Sequence, residues 1–239
     1  MENERLDEVM PEGKWEFDES VTAVFENMLE RSIPQYELMR DLCFRIACEF
    51  ARKGTDIVDL GCSKGDSMRR TIDHFGAYNR HVGVEVSKPM LAAVRERFKN
   101  LISLGHVAIY DMDLRRDFPL VRASVITSVL TIQFIPIEYR QQIIQKVYDS
   151  LVEGGVFIMV EKVLGNSAPI DDLLVKLYLD MKSQNSYTQE QIDRKRWALE
   201  GVLVPATAGW NEEFLKSAGF RKIDCFWRCL NFGGWLGIK

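Results

Sequence analysis

The 239-residue sequence predicts a doubly wound α/β fold with a mostly parallel, seven-stranded sheet. Three observations support this prediction. Strand-like apolar runs alternate with helical segments over residues 56–160. A glycine-rich turn follows the first apolar run, and an acidic residue ends the second one, about 20 residues further on. Strands and helices that alternate in this way form parallel sheets with right-handed crossovers.

The individual elements follow from apolar spacing and from helix-start signals. Residues 1–15 are polar and are expected to be loose, and apolar positions recur at helical spacing over residues 20–29 and 35–52. Ser87 and Pro89 are typical of a helix N-cap and first turn. The alternation predicts strands at 56–60, 81–85, 107–111, 124–130 and 156–160, with helices at 65–75, 88–99 and 137–151.

The alternation stops after the fifth strand. Residues 163–204 contain two helix-like stretches, 171–181 and 189–200, with no strand between them. They are expected to form an insertion or lid beside the strand tips. A helix at 211–218 follows, and the runs 222–230 and 232–239 then predict a C-terminal antiparallel hairpin.

The length suits a single domain spanning residues 1–239. Within it, residues 1–53 are expected to form an N-terminal arm with helices, and residues 163–204 the helical insertion.

Composition favours small-molecule chemistry in a reduced compartment. The net charge of −4 and pI of about 5.6 do not suggest nucleic-acid binding. No apolar run approaches the roughly 20 residues that span a bilayer, and the start Met1-Glu2-Asn3-Glu4-Arg5 is unlike a signal peptide. We therefore expect a metal-free cytoplasmic protein, because the cysteines show no metal-ligand spacing. They are Cys43, Cys48, Cys62, Cys225 and Cys229.

The turn after the first strand indicates a nucleoside-bearing cofactor. Three residues separate Gly61 from Gly65, so neither the dinucleotide fingerprint nor the phosphate loop is matched. Glycines allow a ligand to approach the backbone closely, and Glu85, at the tip of the next strand, is placed to bind a ribose diol. Asp59, Asp66 and Glu85 would repel a pyrophosphate but attract the positive charges of S-adenosylmethionine. The alternative is an ordinary turn of some other doubly wound protein.

Several stretches outside this turn are more specific than the turn itself. They are Trp15-Glu16-Phe17-Asp18-Glu19-Ser20-Val21, Arg31-Ser32-Ile33-Pro34-Gln35-Tyr36, Thr131-Ile132-Gln133-Phe134, Glu161-Lys162, Lys195-Arg196, Leu199-Glu200, Lys216-Ser217-Ala218-Gly219-Phe220 and Cys229-Leu230-Asn231-Phe232-Gly233. Together with Asp59-Leu60-Gly61-Cys62-Ser63, they make residues 15–239 resemble the carboxy-S-adenosylmethionine synthases, relatives of the methyltransferases.

The resemblance implies a Rossmann-like methyltransferase fold and a specific reaction. Enzymes of this family carboxylate the methyl group of S-adenosylmethionine, use prephenate as the carboxyl donor and release phenylpyruvate. Their product supplies carboxymethyl transfer, typically to a wobble uridine of tRNA. The resemblance also implies a homodimer.

The same resemblance implies which residues form the site. The expected cofactor-binding residues are Tyr36, Asp59, Gly61, Cys62, Ser63, Glu85, Val86, Asp111, Met112, Val129 and Arg196. Glu85 is expected to take the ribose and Asp111-Met112 to flank the adenine. Arg196 is the catalytic candidate, because a guanidinium offers a carboxylate two parallel donors. The alternative is that the basic run Arg194-Lys195-Arg196 is a solvated helix face. Two positions depart from the family: Glu85 replaces an aspartate and Val129 an asparagine.

For several other residues, the sequence allows two different roles. Cys62 is expected to pack in the loop rather than act as a nucleophile, and the Glu161-Lys162 pair is either a salt bridge or part of the site. Trp15 and Phe17 suggest that the N-terminal arm docks on something, either over the cofactor or on a partner subunit. Three tryptophans could line a pocket for the prephenate ring or be core or interface residues. They are Trp197, Trp210 and Trp235.

Two functional alternatives remain open. One is an ordinary methyltransferase acting on an unidentified small acceptor, which Val129 favours. The other is a cofactor-binding protein without turnover, against which the intact Asp59–Gly65 turn and Glu85 argue.

Overall fold

The centre of the molecule is a twisted sheet, as the sequence predicts. The structure is a computed structural model, and it describes residues 6–239. Its strands are β1 (Asp56–Leu60), β2 (Arg80–Glu85), β3 (Val107–Asp111), β4 (Ala123–Val129), β5 (Leu151–Leu164), β6 (Ala206–Thr207), β7 (Lys222–Cys229) and β8 (Phe232–Ile238). Seven of them form the order β3-β2-β1-β4-β5-β8-β7, and the short β6 pairs with the end of β5.

The strand directions confirm the predicted mostly parallel sheet with a C-terminal antiparallel hairpin. The first five strands run parallel to one another. β8 runs antiparallel to both β5 and β7. The carboxyl ends of the parallel strands therefore meet at one edge of the sheet, where doubly wound folds bind their ligands.

Ten α-helices lie in the described part of the chain. They are α1 (Glu19–Ala23), α2 (Phe25–Ser32), α3 (Tyr36–Phe50), α4 (Asp66–Phe75), α5 (Lys88–Arg97), α6 (Lys99–Ser103), α7 (Ile137–Ser150), α8 (Ala168–Gln184), α9 (Gln189–Leu199) and α10 (Ala208–Ala218). The predicted cap is confirmed, because Ser87 Oγ accepts a hydrogen bond from the Met90 N–H. None of these helices combines the length and apolar character needed to cross a membrane.

Two predicted helices are each split in two. The stretch predicted at 20–29 breaks at Val24, whose φ of −117° leaves the helical region. The stretch predicted at 88–99 breaks at Phe98, which lies between α5 and α6. Apolar spacing runs across both breaks, so periodicity alone does not reveal them.

The prediction that residues 1–15 are loose is wrong for the later part of that segment, while residues 1–5 lie outside the described residues. Asp7 is fully buried and Trp15 is 7% exposed. The Trp15 N–H donates a hydrogen bond to the Ala198 carbonyl at 2.9 Å. The segment is polar overall, but its few apolar side chains pack against α2 and α9.

Apolar side chains cover both faces of the sheet. Val156, Phe157, Ile158, Met159 and Val160 of β5 are all fully buried. Alternate residues of this run belong to two separate clusters, one on each face. Strands buried on both faces are rigid, and they fix the positions of the loops at their tips.

Candidate active site

A cavity of about 600 Å³ opens at the carboxyl ends of β1, β2, β3 and β4. This volume lies within the range of small-molecule sites. Ten of the eleven residues that the sequence predicts for the cofactor line it, and Arg196 does not. The ten are Tyr36, Asp59, Gly61, Cys62, Ser63, Glu85, Val86, Asp111, Met112 and Val129.

The turn after β1 requires its two glycines. Gly61 and Gly65 have φ values of +78° and +83°, which side-chain-bearing residues rarely adopt. A Cβ atom at Gly61 would overlap the side chain of Thr131, and one at Gly65 would lie 2.5 Å from the Phe98 ring. The backbone thus folds tightly and leaves the space above it open.

Glu85 is held in a fixed orientation at the tip of β2. Its Oε2 atom accepts a hydrogen bond from the Ser63 N–H at 2.9 Å. Its Oε1 atom accepts from the N–H groups of Val86 and Ser87 at 2.8 and 2.9 Å. Among the salt bridges of residues 6–239, none involves Glu85, so its charge is available to a hydroxyl or cationic ligand.

Two of the three other acids predicted near the cofactor are paired with cations. Asp66 accepts from Arg97 at 2.5 Å, and Asp111 forms a salt bridge with Lys88. Cations beyond the turn therefore reduce the negative potential that the acids alone suggest. Arg97 and Lys88 are distant in sequence from the acids that they contact, so no local pattern predicts these pairs.

Asp59 lies beneath the turn, buried beside α3. Its Oδ1 atom accepts from the Thr127 hydroxyl at 2.8 Å. Burial raises the pKa of Asp59 to about 6. On the adjacent helix, Arg40 donates to the Tyr36 hydroxyl at 2.9 Å, which places a guanidinium at this end of the cavity.

Cys62 packs in the loop, as expected. Its side chain is 3% exposed and lies in a cluster with Met68, Val94 and Phe98. Burial raises the pKa of the Cys62 thiol well above its usual range. A thiol in this environment is a poor nucleophile.

A second end of the cavity is cationic, and of its residues only Lys162 was predicted from the sequence as a candidate. Lys162 at the end of β5 and Lys182 on α8 both line the cavity, together with Tyr178. Burial lowers the pKa of each lysine to about 8. Glu161 does not pair with Lys162, since its carboxylate accepts from the Ile132 and Gln133 N–H groups at 3.0 and 2.8 Å.

The N-terminal segment covers one side of the cavity. Trp15 and Phe17 line it, and the Phe17 ring lies 5.1 Å from that of Phe134. The arm therefore docks over the cavity, which is one of the two surfaces expected for it.

Arg196 and the three tryptophans do not line the cavity. Arg196 is exposed on α9, and its neighbour Lys195 faces the cavity instead, bound to Asp7. Trp197 and Trp210 are 75% and 50% exposed, while Trp235 is buried in the core. None of the three lines the cavity, so the suggestion of a tryptophan-lined ring pocket is wrong for the described conformation.

The lining fits S-adenosylmethionine. The tight glycine turn leaves room for an adenosyl group, the fixed Glu85 carboxylate suits a ribose diol, and Tyr36, Met112 and Val129 add apolar surface. When bound there, this molecule supplies a sulfonium that activates its methyl group.

Known proteins with a similar sequence or structure first identify the type of fold. Residues 57–155 match the methyltransferase domain family. A protein from Bordetella parapertussis shares the fold at a TM-score of 0.66 and 15% identity, over 90% of this chain and 72% of that one. Human N-acetylserotonin methyltransferase in complex with SAM shares the fold at a TM-score of 0.60 and 14% identity, over 92% of this chain and 55% of that one. The chain thus has the methyltransferase fold, with a cavity that fits S-adenosylmethionine.

Curated relatives then give the narrower family. A carboxy-S-adenosyl-L-methionine synthase from Methylococcus capsulatus is 38% identical over 224 residues, which cover 93% of both chains. The enzymes of that name from Aeromonas salmonicida and Shewanella baltica are 34% and 35% identical and cover more than nine-tenths of each chain. The chain belongs to the carboxy-S-adenosyl-L-methionine synthase family.

Proposed function

We propose that this protein carboxylates the methyl group of S-adenosylmethionine with prephenate as the donor and releases phenylpyruvate. The observation that carries the proposal is the division of charge within one cavity. One end holds Glu85 and the glycine turn, and the other holds Lys162 and Lys182. A dianionic donor needs the second end, whereas methyl transfer to a neutral acceptor does not.

The reaction balances without another reactant. A carbon–carbon bond forms between the methyl carbon and the donor carboxyl carbon, and the bond joining that carboxyl group to the donor ring breaks. The ring hydroxyl leaves with the methyl proton as water, so the ring becomes aromatic. The residues' task is to hold the reactants together and exclude bulk water, to which Trp15 and Phe17 contribute by covering the cavity.

The proposed roles of the individual residues follow their positions. Glu85 would hold the ribose, and Asp111 and Met112 the adenine. Arg196 is proposed to bind the new carboxylate. Its charge lowers the pKa of Lys162, after the larger effect of burial, which indicates that it lies near the cationic end. Because Arg196 is exposed, this role requires α9 to move on ligand binding.

Mass spectrometry of reaction mixtures tests the proposal. The protein is incubated with S-adenosylmethionine, with and without prephenate. We expect a cofactor heavier by one carbon dioxide that appears only with prephenate, together with phenylpyruvate. The variant Arg196→Ala is expected to lose the carboxylated product while it still binds S-adenosylmethionine. Absence of carboxylated cofactor from the wild-type reaction would contradict the proposal.

Val129 favours one alternative, a methyltransferase acting on a small acceptor. This side chain lines the cavity where the family has an asparagine, so one amide donor and acceptor are missing there. Formation of S-adenosylhomocysteine with a cell extract, and no carboxylated cofactor with prephenate, would support the alternative.

We further propose that the protein acts in the cytoplasm as a homodimer and that its product serves carboxymethyl transfer to tRNA. The five unpaired cysteines support a reducing compartment. Exposed apolar side chains on α8, Ile170, Leu173 and Leu177, support contact with a second copy.

A further inference from the structure

Two lysines meet one aromatic ring at the cationic end of the cavity. The Lys162 ammonium lies 4.7 Å from the centroid of the Tyr178 ring, and the Lys182 ammonium lies 5.8 Å from it. Both distances are within the range of cation–π attraction. A ring stabilises an ammonium group without neutralising its charge, so the attraction for an anion remains.

The fold brings these three residues together. Side chains alternate along a strand, so Lys162 lies on the same face of β5 as Val160, in the direction of α8. Tyr178 and Lys182 are four residues apart on α8 and therefore share one face of that helix. The Tyr178 ring also packs against Phe232, with the ring centroids 5.5 Å apart.

Neither lysine has an anionic partner in the part of the chain that the structure describes. Lys182 is 6% exposed, and lysines this deeply buried are nearly always paired. Within residues 6–239, no carboxylate lies within salt-bridge distance of either ammonium group. The contrast is Lys195, whose ammonium is bound to Asp7. An anion in the cavity would supply the partner that residues 6–239 do not.

We propose that Lys162, Lys182 and Tyr178 form a subsite for a carboxylate of the carboxyl donor. This inference rests on the proposed function and assigns the donor to one end of the site. The ligand class is a small dicarboxylic acid whose second carboxylate stays bound while the first is transferred. The two ammonium groups bind it. The Tyr178 ring lies within cation–π distance of both, and the Tyr187 ring lies 4.7 Å from the Lys182 ammonium.

The methionine carboxylate of the cofactor is the other carboxylate that could occupy this subsite. Arg40 is better placed to receive it. Its guanidinium bonds to Tyr36 and acts electrostatically with Asp59 and Asp66, at the end of the cavity formed by the turn after β1. The lysine subsite therefore binds the carboxyl donor rather than the methionine carboxylate.

Steady-state kinetics of Lys162→Met and Lys182→Met test the subsite. We expect the KM for prephenate to rise on the order of 10- to 100-fold in each variant, because each loses a charge-assisted contact. The Kd for S-adenosylmethionine is expected to stay within about twofold of the wild-type value. The arginine variants should recover part of the loss, since they keep the charge. Lys176→Met is the matched control, because Lys176 is exposed on the same helix.

Two results would overturn the subsite. One is an unchanged KM for prephenate in both methionine variants. The other is a weakened Kd for S-adenosylmethionine with an unchanged KM for prephenate, which would assign the lysines to the methionine carboxylate. If Lys182→Met does not fold, the half-buried Lys162 decides the question alone.

A separate titration distinguishes failure of the subsite from failure of the proposed function. If the wild-type protein makes no carboxylated cofactor, phenylpyruvate is titrated into the protein saturated with S-adenosylhomocysteine. Binding that is lost in the methionine variants would support an anion subsite in a protein with a different reaction. Equal binding by the wild type and the variants, or none, would overturn it.

Discussion

Glu85 is the residue on which cofactor binding depends most directly. Three backbone N–H groups hold its carboxylate at the tip of β2. We expect Glu85→Gln to weaken S-adenosylmethionine binding on the order of 10- to 100-fold, because it removes a charged acceptor and turns an amide donor toward one of those N–H groups. Isothermal titration calorimetry measures the effect. The control is Glu49→Gln, an exposed position at the end of α3, and equal affinity of the two variants would contradict the role.

The pH dependence of donor binding follows from the two lysines. Burial lowers the pKa of Lys162 and of Lys182 to about 8, so each is an ammonium below that pH and loses its charge above it. The KM for prephenate should therefore rise between about pH 7 and 9. A bound anion should raise the pKa of the lysines in the complex, because it favours their charged form. Charged groups around the pair also act on these pKa values; they are Arg31, Lys195 and Arg196, which lower them, and Asp7 and Asp171, which raise them.

Kinetics across this pH range check the expectation. The double variant Lys162→Arg/Lys182→Arg serves as the control, because a guanidinium stays charged throughout. It should show no rise in KM over the same range. A rise of equal size in this variant would show that other groups are responsible.

Residues at the site were predictable where a local pattern carries the information. Gly61 and Glu85 belong to a strand–turn pattern that the chain displays in order, and both line the cavity. Lys182 and Tyr178 were missed, because their proximity to Lys162 depends on how α8 packs against β5. Arg196 was named from the resemblance, whereas the basic run Arg194-Lys195-Arg196 by itself indicates the solvated helix face on which Arg196 lies.

At the scale of elements, a buried ion pair fixes the N-terminal segment to α9. Asp7 is fully buried, and its carboxylate binds both the Lys195 ammonium and the Tyr187 hydroxyl. We expect Asp7→Asn to lower the free energy of unfolding by about 3–5 kcal/mol, because it leaves the Lys195 charge buried without its counter-ion. Urea unfolding measures the change. If the free energy of unfolding falls by less than about 0.5 kcal/mol, the ion pair does not hold the segment on α9.

The double variant Asp7→Asn/Lys195→Met separates loss of the pair from loss of packing. It removes the unpaired charge, so most of the lost stability should return. If the double variant is as unstable as the sum of the single ones, the two residues act independently and the proposed link between the segment and α9 is absent.

Periodic elements were predictable, and irregular ones were not. The strand predicted at 56–60 has the same bounds as β1, because apolar runs bounded by Gly54 and Gly61 mark its ends. The breaks at Val24 and Phe98 carry no such signal. The docking of residues 6–17 depends on contacts with α9, almost the whole chain away, which no local pattern contains.

At the scale of the whole molecule, one cavity joins three distant parts of the chain. The turn after β1 supplies Gly61, the N-terminal segment supplies Trp15, and α8 supplies Tyr178. A ligand that fills the cavity contacts all three, and it stabilises the folded state by mass action, by about 2.7 kcal/mol at 100 times its Kd. Ligand binding should therefore slow local opening in all three parts together.

Amide hydrogen exchange with and without S-adenosylhomocysteine measures this coupling. We expect slower exchange in residues 61–66, because the ligand lies on that turn, and also in residues 6–17 and 189–199, because the segment and α9 close over the cavity as one unit. Adding phenylpyruvate should extend the protection to α8. In Asp7→Asn the turn should stay protected while residues 6–17 lose protection, since only their attachment to α9 is weakened. Protection confined to the turn in the wild-type protein would show that the segment and α9 cover the cavity without responding to its contents.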